Sequence, residues 1–229
     1  MAHAIGAAKG LRLGVAKGSR VSDAHDAEFS TFYRAFSEHF RGPYEVVKRR
    51  LTAHANHLMR YAPLPGPVLD LGVGRGEWIE LLRERDVQAS GVDSNPDIVA
   101  AAQSRGAAVV HGDALERLES VPPNSLGAVS AFHLIEHFGP ALRVRLFTLA
   151  FRALAPSGRL LLEWPNVANA RVAQYTFWLD PTHQLPLPCE VAEFIARYAG
   201  FTDIELPRID DGQPVGFEAP DIGLWARKP

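Results

Sequence analysis

Residues 68–78 read VLDLGVGRGEW, an apolar run that leads into three alternating glycines, Gly72, Gly74 and Gly76. Glycine is required where the backbone takes a positive φ angle, or where a ligand approaches closer than a Cβ atom permits. The segment therefore predicts a buried strand, a ligand-binding loop and the start of a helix. Its G-x-G-x-G spacing differs from the G-x-G-x-x-G of dinucleotide-binding loops, and it lacks the Gly-Lys-Ser/Thr of a phosphate-binding loop.

From residue 68 onward, short apolar runs alternate with amphipathic helical patterns. The runs are residues 68–71, 89–92, 107–110, 126–132 and 159–164. Strands that are joined by helices run parallel and are buried on both faces. The pattern therefore predicts an α/β fold with a Rossmann-like doubly wound, mostly parallel sheet. Two last candidate strands, residues 203–209 and 222–227, have no helix between them, so they are predicted to pair as an antiparallel edge hairpin.

The chain divides into three predicted parts. Residues 1–26 begin with a basic segment rich in Ala and Gly, and they are predicted to be a flexible tail. Residues 27–62 are predicted to form a helical lead-in, interrupted at Gly42 and Pro43, that caps the ligand site. Residues 63–229 form the main domain.

The composition limits the classes of function that are open. The 229 residues carry 24 Lys and Arg against 26 Asp and Glu, a net charge of −2, and 47% of them are hydrophobic. This is the balance of a globular protein without the basic excess that coating DNA requires. Cys189 is the single cysteine, which excludes an intrachain disulfide and a cysteine cluster around a metal. Because no apolar run is long enough for a membrane span or a secretion signal, we expect a soluble cytoplasmic protein.

Acidic residues end the second and third predicted strands. Asp93 comes 17 residues after Gly76, near the spacing at which a strand-end carboxylate binds a ribose diol. A carboxylate can accept hydrogen bonds from both hydroxyl groups of a ribose. Asp113 is placed to accept from an exocyclic adenine amine, and Ala114 to donate its backbone N–H to a ring nitrogen.

This ordered set of motifs resembles the class I S-adenosylmethionine-dependent methyltransferases. The resemblance rests on DLGVGRG at residues 70–76, on Asp93, on GDA at residues 112–114 and on AFHLIEH at residues 131–137. LAPSGR at residues 154–159 resembles the late turn of that family. The resemblance implies a seven-stranded sheet with an antiparallel edge, S-adenosylmethionine as the cofactor, and residues 63–229 as the methyltransferase domain.

The resemblance also assigns cofactor-binding roles. It implies that the three glycines line the methionine portion, that Asp93 binds the ribose, and that Asp113 and Ala114 bind the adenine. Asp70 would order the loop or bind the amino group. The methionine carboxylate needs a cation, for which Arg41 is the first candidate and Arg75 the second. His133, directly after the fourth strand, is also counted among the cofactor-binding residues.

The catalytic candidates follow from the chemistry of the acceptor. A hydroxyl group needs a base to accept its proton, whereas a carboxylate or phosphate needs only cations that hold it. His133 and His137 follow the fourth strand, where this fold binds ligands. His183 lies in a loop rich in proline and aromatic residues, in which Asp180 is predicted to orient it. Trp164 and Trp178 are predicted to offer stacking faces to a sugar.

The acceptor is predicted from a looser resemblance. LDPTH at residues 179–183, LPLP at residues 185–188 and the lead-in at residues 29–50 resemble bacterial methyltransferases of surface polysaccharides, including O-antigen chain-terminating enzymes. That resemblance implies transfer to an oxygen of a glycan or a sugar phosphate. The sequence does not predict the oligomeric state.

Three alternatives stay open. The first is a small phenol or carboxylate acceptor. The second is metal-assisted methylation of RNA, with His133, Glu136, His137 and His183 as ligands. RNA is disfavoured and no metal is predicted, because His133 stands where the corresponding RNA enzymes have an acid. The third is an inert scaffold, which is disfavoured because both the glycine loop and the ribose-binding acid are present.

Overall fold

The computed structural model describes residues 20–210, 213–214 and 219–229, so residues 1–19 of the predicted tail lie outside the described residues. The strands are β1 Val68–Leu71, β2 Ala89–Asp93, β3 Val109–His111, β4 Leu126–Phe132, β5 Leu154–Pro165, β6 Thr202–Glu205, β7 Arg208–Asp210, β8 Gln213–Pro214 and β9 Asp221–Arg227. The helices are α1 Arg20–Arg41, α2 Tyr44–Arg50, α3 Thr52–Met59, α4 Glu77–Arg83, α5 Pro96–Ser104, α6 Ala114–Ser120, α7 Pro140–Ala153, α8 Ala170–Gln174 and α9 Cys189–Ala199. None of these helices in the described part of the chain is long and apolar enough to cross a membrane.

The strands form one sheet in the order β3-β2-β1-β4-β5-β9-β7-β8, with β6 also paired to β9. Strands β1 to β5 pair in parallel, and β9 runs antiparallel to β5. This arrangement confirms the predicted doubly wound sheet with an antiparallel edge. The strand order reverses at β1, which lies between β2 and β4. In open α/β sheets, ligands bind at such a reversal, beyond the carboxyl ends of the strands.

The antiparallel edge differs from the predicted hairpin. Residues 203–209 were predicted to be one strand, but they contribute to two short strands, β6 and β7, which both pair with β9. Pro207 lies between them, and proline has no N–H group for a ladder hydrogen bond. Its carbonyl instead accepts from Gly223 N at 2.7 Å. With β8 also present, nine strands are formed by the residues that the structure describes, where seven were expected.

The lead-in consists of three helices that cover one end of the sheet. Gly42, at φ +83°, and Pro43 separate α1 from α2, as predicted. On one side, α1 contacts the loop after β2, where Ser30 Oγ donates to Asn95 Oδ1 at 2.9 Å. On the other side, Tyr33 Oη donates to Asp180 Oδ2 at 3.0 Å. Helix α1 therefore bridges the two loops that border the carboxyl ends of the strands.

The core lies on both faces of the sheet. In β5, Leu160 and Leu162 belong to one buried cluster and Leu161 to a second, in accordance with the two-residue period of a strand. Trp164 lies in the first cluster with no exposed surface, and its Nε1 donates to Leu187 O at 2.7 Å. The prediction that Trp164 stacks on a sugar is therefore wrong, because the core buries the ring on both faces.

Candidate active site

Two adjoining cavities lie at the carboxyl ends of β1, β2 and β4. The first lobe has a volume of about 830 Å³, and its lining includes Asp93, Asp113 and Ala114. The second lobe has about 650 Å³ and extends between α1, α2, the glycine loop and the loop before α9. The lobes share the lining residues Arg41, Gly72, Ile98, His133 and His137. A ligand in the first lobe can therefore reach a second molecule in the other.

The glycine loop has the conformation that its sequence predicts. Gly72, Gly74 and Gly76 take φ angles of +67°, +58° and +92°, values at which a side chain is strained. A Cβ atom on Gly72 would lie 3.1 Å from Leu134 Cδ1. Gly72 and Gly74 line the cavities.

Gly76 has a different position from the other two glycines. A Cβ atom there would meet Ala107 Cβ at 3.1 Å and Ala102 Cβ at 3.5 Å, and Gly76 is not among the residues that line either lobe. The prediction that Gly76 lines the methionine portion does not agree with this placement. Gly76 instead allows α4 to start close to α5 and the residues that precede β3.

Asp93 ends β2 and faces the first lobe. Its Oδ2 accepts from Gly74 N at 3.0 Å, and its Oδ1 accepts from Asn95 N at 2.9 Å. Burial raises the pKa of Asp93, although these two hydrogen bonds and the nearby Arg41 oppose the shift. Each oxygen keeps a second lone pair, so the carboxylate can still accept from two hydroxyl groups of a ribose. The geometry fits the nucleoside predicted there.

Asp113 is also the N-cap of α6. Its Oδ1 accepts from Leu115 N at 2.8 Å and from Glu116 N at 2.9 Å. This leaves Oδ2 for a ligand. Ala114 lies in the first turn of α6, where a backbone N–H has no acceptor within the helix, so it can also donate to a ligand. Both residues line the first lobe, as an adenine site requires.

Asp70 is buried beneath the glycine loop and lines the second lobe. Its Oδ1 accepts from Ser130 Oγ at 2.7 Å. Burial raises the pKa of Asp70 to about 8, and the bond from Ser130 only partly offsets this. This bond joins β1 to β4 two residues before Gly72.

The two candidate cations for the methionine carboxylate have different surroundings. Arg41 lines both lobes, and its Nη1 lies 3.4 Å from the position that a Cβ on Gly74 would take. Arg75 pairs instead with Glu77, with 2.8 Å between Nε and Oε1. Its guanidinium carbon lies 6.0 Å from the ring centre of Tyr44. Arg41 is therefore the better placed of the two.

His133 follows β4 at a φ angle of +54°, which costs a residue other than glycine of the order of 1–2 kcal/mol. Its Nδ1 lies 3.4 Å from Glu136 Oε1, and its Nε2 lies 3.3 Å from Glu163 Oε1 and 3.8 Å from Asp221 Oδ1. Burial lowers the pKa of His133, but these three carboxylates outweigh it and hold the pKa well above the ordinary value. The raised pKa makes His133 a poor acceptor of a proton, and both of its ring nitrogens already face carboxyl groups of the protein.

Asp180 does not orient His183, so that prediction is wrong. The Asp180 carboxylate accepts from Tyr33 Oη at 3.0 Å, from Thr182 N at 2.8 Å and from Thr182 Oγ1 at 2.6 Å. Its Oδ2 is 3.9 Å from His183 Nε2, which is too long for a hydrogen bond. The carboxylate faces α1 and caps the turn to Thr182. His183 is fixed by another partner, since its Nδ1 lies 2.6 Å from Phe177 O.

His137 lies beside His183, with 4.8 Å between the ring centres. Its Nδ1 lies 2.9 Å from Thr182 Oγ1. Burial lowers the pKa of His137, and the nearby His183 and Arg41 lower it further against the opposing charge of Glu136. His137 is therefore neutral at pH 7 and able to accept a proton.

Sequence reasoning missed several residues of this site: Tyr33, Thr182, Glu163 and Asp221. Thr182 follows Asp180 at the spacing of a side-chain-capped turn, which is a usable signal. Tyr33 and Asp221 have no such signal in the sequence, because their contacts come from distant parts of the chain.

Trp178, which was predicted to stack on a sugar, has 56% of its surface exposed, and its Nε1 donates to Ala173 O at 2.9 Å.

Comparison with known proteins agrees with this geometry. A family model described as a methyltransferase domain matches residues 44–205. Trans-aconitate 2-methyltransferase of Acidovorax sp. (strain JS42) is 30% identical over 166 residues, which cover 70% of this chain and 54% of that protein. The enzyme of the same name from Sinorhizobium medicae (strain WSM419) is 30% identical over 147 residues, 62% of this chain and 52% of that protein. The chain thus spans about half the length of the curated relatives it matches.

Solved structures show the same fold. A SAM-dependent methyltransferase from Archaeoglobus fulgidus has a TM-score of 0.74 and 30% identity, covering 86% of this chain and 100% of that one. Phosphoethanolamine N-methyltransferase 2 of Haemonchus contortus, in complex with S-adenosyl-L-methionine, has a TM-score of 0.61 and 21% identity, covering 86% of this chain and 60% of that one. The predicted fold and the predicted cofactor are confirmed.

The resemblance to surface-polysaccharide enzymes stays a prediction, because the curated relatives are named for trans-aconitate. The matched residues run from α2 to β6 and include the glycine loop, Asp93 and the loops that carry His133 and His183. The fold of the chain, its cavity and these matches together show that the chain belongs to the methyltransferase-domain family.

Proposed function

We propose that this chain transfers the methyl group of S-adenosylmethionine to an oxygen of a small molecule that bears carboxylate groups. The observation that carries the proposal is the presence of two arginines, Arg50 of α2 and Arg171 of α8, in the lining of the second lobe. The same lining also contains acidic side chains, so these arginines are the groups there that suit a carboxylate. The names of the curated relatives, which refer to trans-aconitate, support the same class of acceptor.

The cofactor would occupy the first lobe. When bound, S-adenosylmethionine supplies an electrophilic methyl group on a positively charged sulfur. In this proposal Asp93 accepts from the ribose hydroxyls, Asp113 and Ala114 hold the adenine, and Arg41 binds the methionine carboxylate. Because Arg41 and His133 line both lobes, the methionine end would meet the second lobe between them.

A carboxylate acceptor places few demands on the protein. Its oxygen is already nucleophilic, so the site has to hold it in line with the methyl group and exclude water. Arginine binds a carboxylate through two parallel hydrogen bonds, which fixes its orientation as well as its position. Arg50 and Arg171 are the candidates for that contact, and α1 covers the cavity above them.

The test uses S-adenosylmethionine with a labelled methyl group and a panel of trans-aconitate, other small tricarboxylates, phenols, sugar phosphates and glycans. Label in an ester is released as methanol by mild alkali, whereas label in an ether is retained. We expect alkali-labile label on a carboxylate. Arg171→Ala should raise the acceptor KM about tenfold or more. Arg145→Ala is the matched control, since Arg145 is exposed and pairs with Glu119 away from the site.

Two results would contradict this proposal. Transfer to phenols or glycans alone would replace the acceptor class. Failure to bind S-adenosylhomocysteine in a calorimeter would leave the chain as an inert scaffold.

A hydroxyl acceptor, such as a sugar of a glycan or a sugar phosphate, is the second candidate. The observation that favours it is His137, which is neutral at pH 7 and lines both lobes. A hydroxyl needs such a base, whereas a carboxylate does not. In this case the transferred label resists alkali, and the rate rises with pH as His137 loses its proton.

A further inference from the structure

Glu136 is a buried carboxylate without a hydrogen-bond partner. It lies in the short helical turn Ile135–His137 with no exposed surface, and neither of its side-chain oxygens receives a hydrogen bond from the described residues. Burial of an ionised group costs several kcal/mol, which pairing with a charge or binding a metal ion offsets. His133 offsets part of this cost for Glu136, but no hydrogen bond from the described residues reaches either oxygen. The nearest imidazole nitrogens are His133 Nδ1 at 3.4 Å and His183 Nε2 at 3.8 Å.

Hydrogen bonds fix the ring orientations of the two imidazoles beside Glu136. The His183 Nδ1 atom must donate, because its partner at 2.6 Å is the carbonyl oxygen of Phe177. The single hydroxyl proton of Thr182 goes to Asp180 Oδ1 at 2.6 Å, so Thr182 Oγ1 accepts from His137 Nδ1 at 2.9 Å. In the neutral form of each ring, the lone pair is therefore on Nε2. Metal-binding histidines are held in this way, with the second ring nitrogen donating to a carbonyl or another oxygen acceptor.

We propose that Glu136, His137 and His183 bind a divalent transition-metal ion such as Zn²⁺ or Mn²⁺. The three residues offer ligand atoms that all lie within 4.8 Å of one another. Metal bonds of about 2.1 Å bring such ligands to about 3–3.5 Å apart, so side-chain movements of about 1 Å close the site. Two imidazoles and a carboxylate on one side of an ion leave its other positions open for a ligand.

The neighbouring group of His133, Glu163 and Asp221 is less suited to a metal. Carboxylate oxygens face both ring nitrogens of His133, so neither nitrogen is available as a ligand. Glu163 is also engaged elsewhere, because His54 Nε2 donates to its Oε2 at 2.6 Å. His54 is the donor in that bond because its Nδ1 accepts from Trp225 Nε1 at 2.8 Å.

The ion would lie beside the acceptor. His137 lines both lobes and His183 lines the second, so the open coordination positions face the cavity assigned to the acceptor. There the ion would hold a carboxylate oxygen next to the methyl group. This role rests on the proposed function, whereas metal binding itself does not.

Metal binding is tested on the full chain after removal of metals with a chelator. Co²⁺ is followed by its visible absorption and Mn²⁺ by electron paramagnetic resonance. We expect one ion per chain. Glu136→Gln and His183→Ala should each weaken binding about 100-fold or more, and Thr182→Val, which removes the partner of His137 Nδ1, about tenfold. His39→Ala, an exposed histidine on α1, should bind as the unchanged protein does.

Binding of S-adenosylhomocysteine by calorimetry reports whether each variant is folded, because no proposed cofactor contact is altered. The proposal is overturned if neither Co²⁺ nor Mn²⁺ binds at one per chain. It is also overturned if Glu136→Gln and His183→Ala retain full affinity, or if Asp221→Asn removes binding while they do not. Cofactor binding without metal binding would leave the two imidazoles as bases.

Discussion

Replacing Arg41 by alanine tests how the methionine end of the cofactor is held. The guanidinium lies against the glycine loop at the junction of the two lobes. Its charge opposes the rise that burial causes in the pKa of Asp93, and it adds to the fall that burial causes in the pKa of His137. A hydrogen bond between charged groups contributes about 1.5–3 kcal/mol. Since about 1.4 kcal/mol corresponds to tenfold in affinity, Arg41→Ala should weaken binding of S-adenosylhomocysteine about 10- to 100-fold.

The assay is calorimetric titration with two ligands. S-adenosylhomocysteine has the methionine carboxylate, and 5′-methylthioadenosine keeps the nucleoside but lacks the amino-acid portion. Arg41→Ala should leave the affinity for 5′-methylthioadenosine unchanged within about twofold. This ligand has no carboxylate for Arg41 to bind, so the substitution removes no contact with it. Arg75→Ala is the matched control, since Arg75 pairs with Glu77, and it should bind both ligands normally.

The reasoning would be refuted by an equal loss of affinity for both ligands. Arg41 would then support α1 over the cavity rather than bind the carboxylate. A selective loss of S-adenosylhomocysteine binding in Arg75→Ala, with Arg41→Ala unaffected, would assign the carboxylate to Arg75.

Three further predictions concern the framework of the site. Gly76→Ala should lower the free energy of unfolding by about 1–2 kcal/mol for its φ of +92°, plus about 1 kcal/mol for the contact with Ala107. Gly42 has a φ of +83° and open space around it, so Gly42→Ala should show only the backbone cost of about 1–2 kcal/mol in urea titrations. If the two variants lost the same free energy of unfolding, the argument from the contact with Ala107 would be contradicted. Burial raises the pKa of Asp70 from 3.8 to about 8, so the folded state keeps a proton in this range that the unfolded state releases. The free energy of unfolding should therefore fall as the pH rises from about 4 to about 8, and Asp70→Asn should reduce that fall by more than about 1 kcal/mol, measured as urea midpoints at pH 5 and pH 8. Trp164→Phe should cost about 1–3 kcal/mol through the lost bond to Leu187 O and the repacked core, and leave the acceptor KM unchanged. A rise in that KM with full stability would restore Trp164 to the acceptor site.

The fold and the first lobe follow from local patterns in the sequence. A strand buried on both faces is mostly apolar, and the turn after it needs glycines where φ is positive. Residues 68–76 show both features and so specify the strand and the loop. Asp93 and Asp113 end the next two strands, and parallel strands bring such residues to one edge of the sheet. Both acids line the first lobe, as predicted. The strand boundaries at the far edge were not predictable in the same way, because Pro207 interrupts a run that is otherwise typical of one strand.

The charges and partners of the histidines were decided only by the tertiary structure. Nothing near His133 in the sequence indicates that Glu163 and Asp221 lie within 4 Å of its Nε2 and raise its pKa. Tyr33 and Asp180 are hydrogen-bonded although 147 positions separate them in the chain. That bond turns Asp180 away from His183, so a pairing that the local motif suggested does not form. Local patterns depend on backbone geometry that neighbouring residues share, whereas a side chain's protonation and partners depend on every group that folding brings near it.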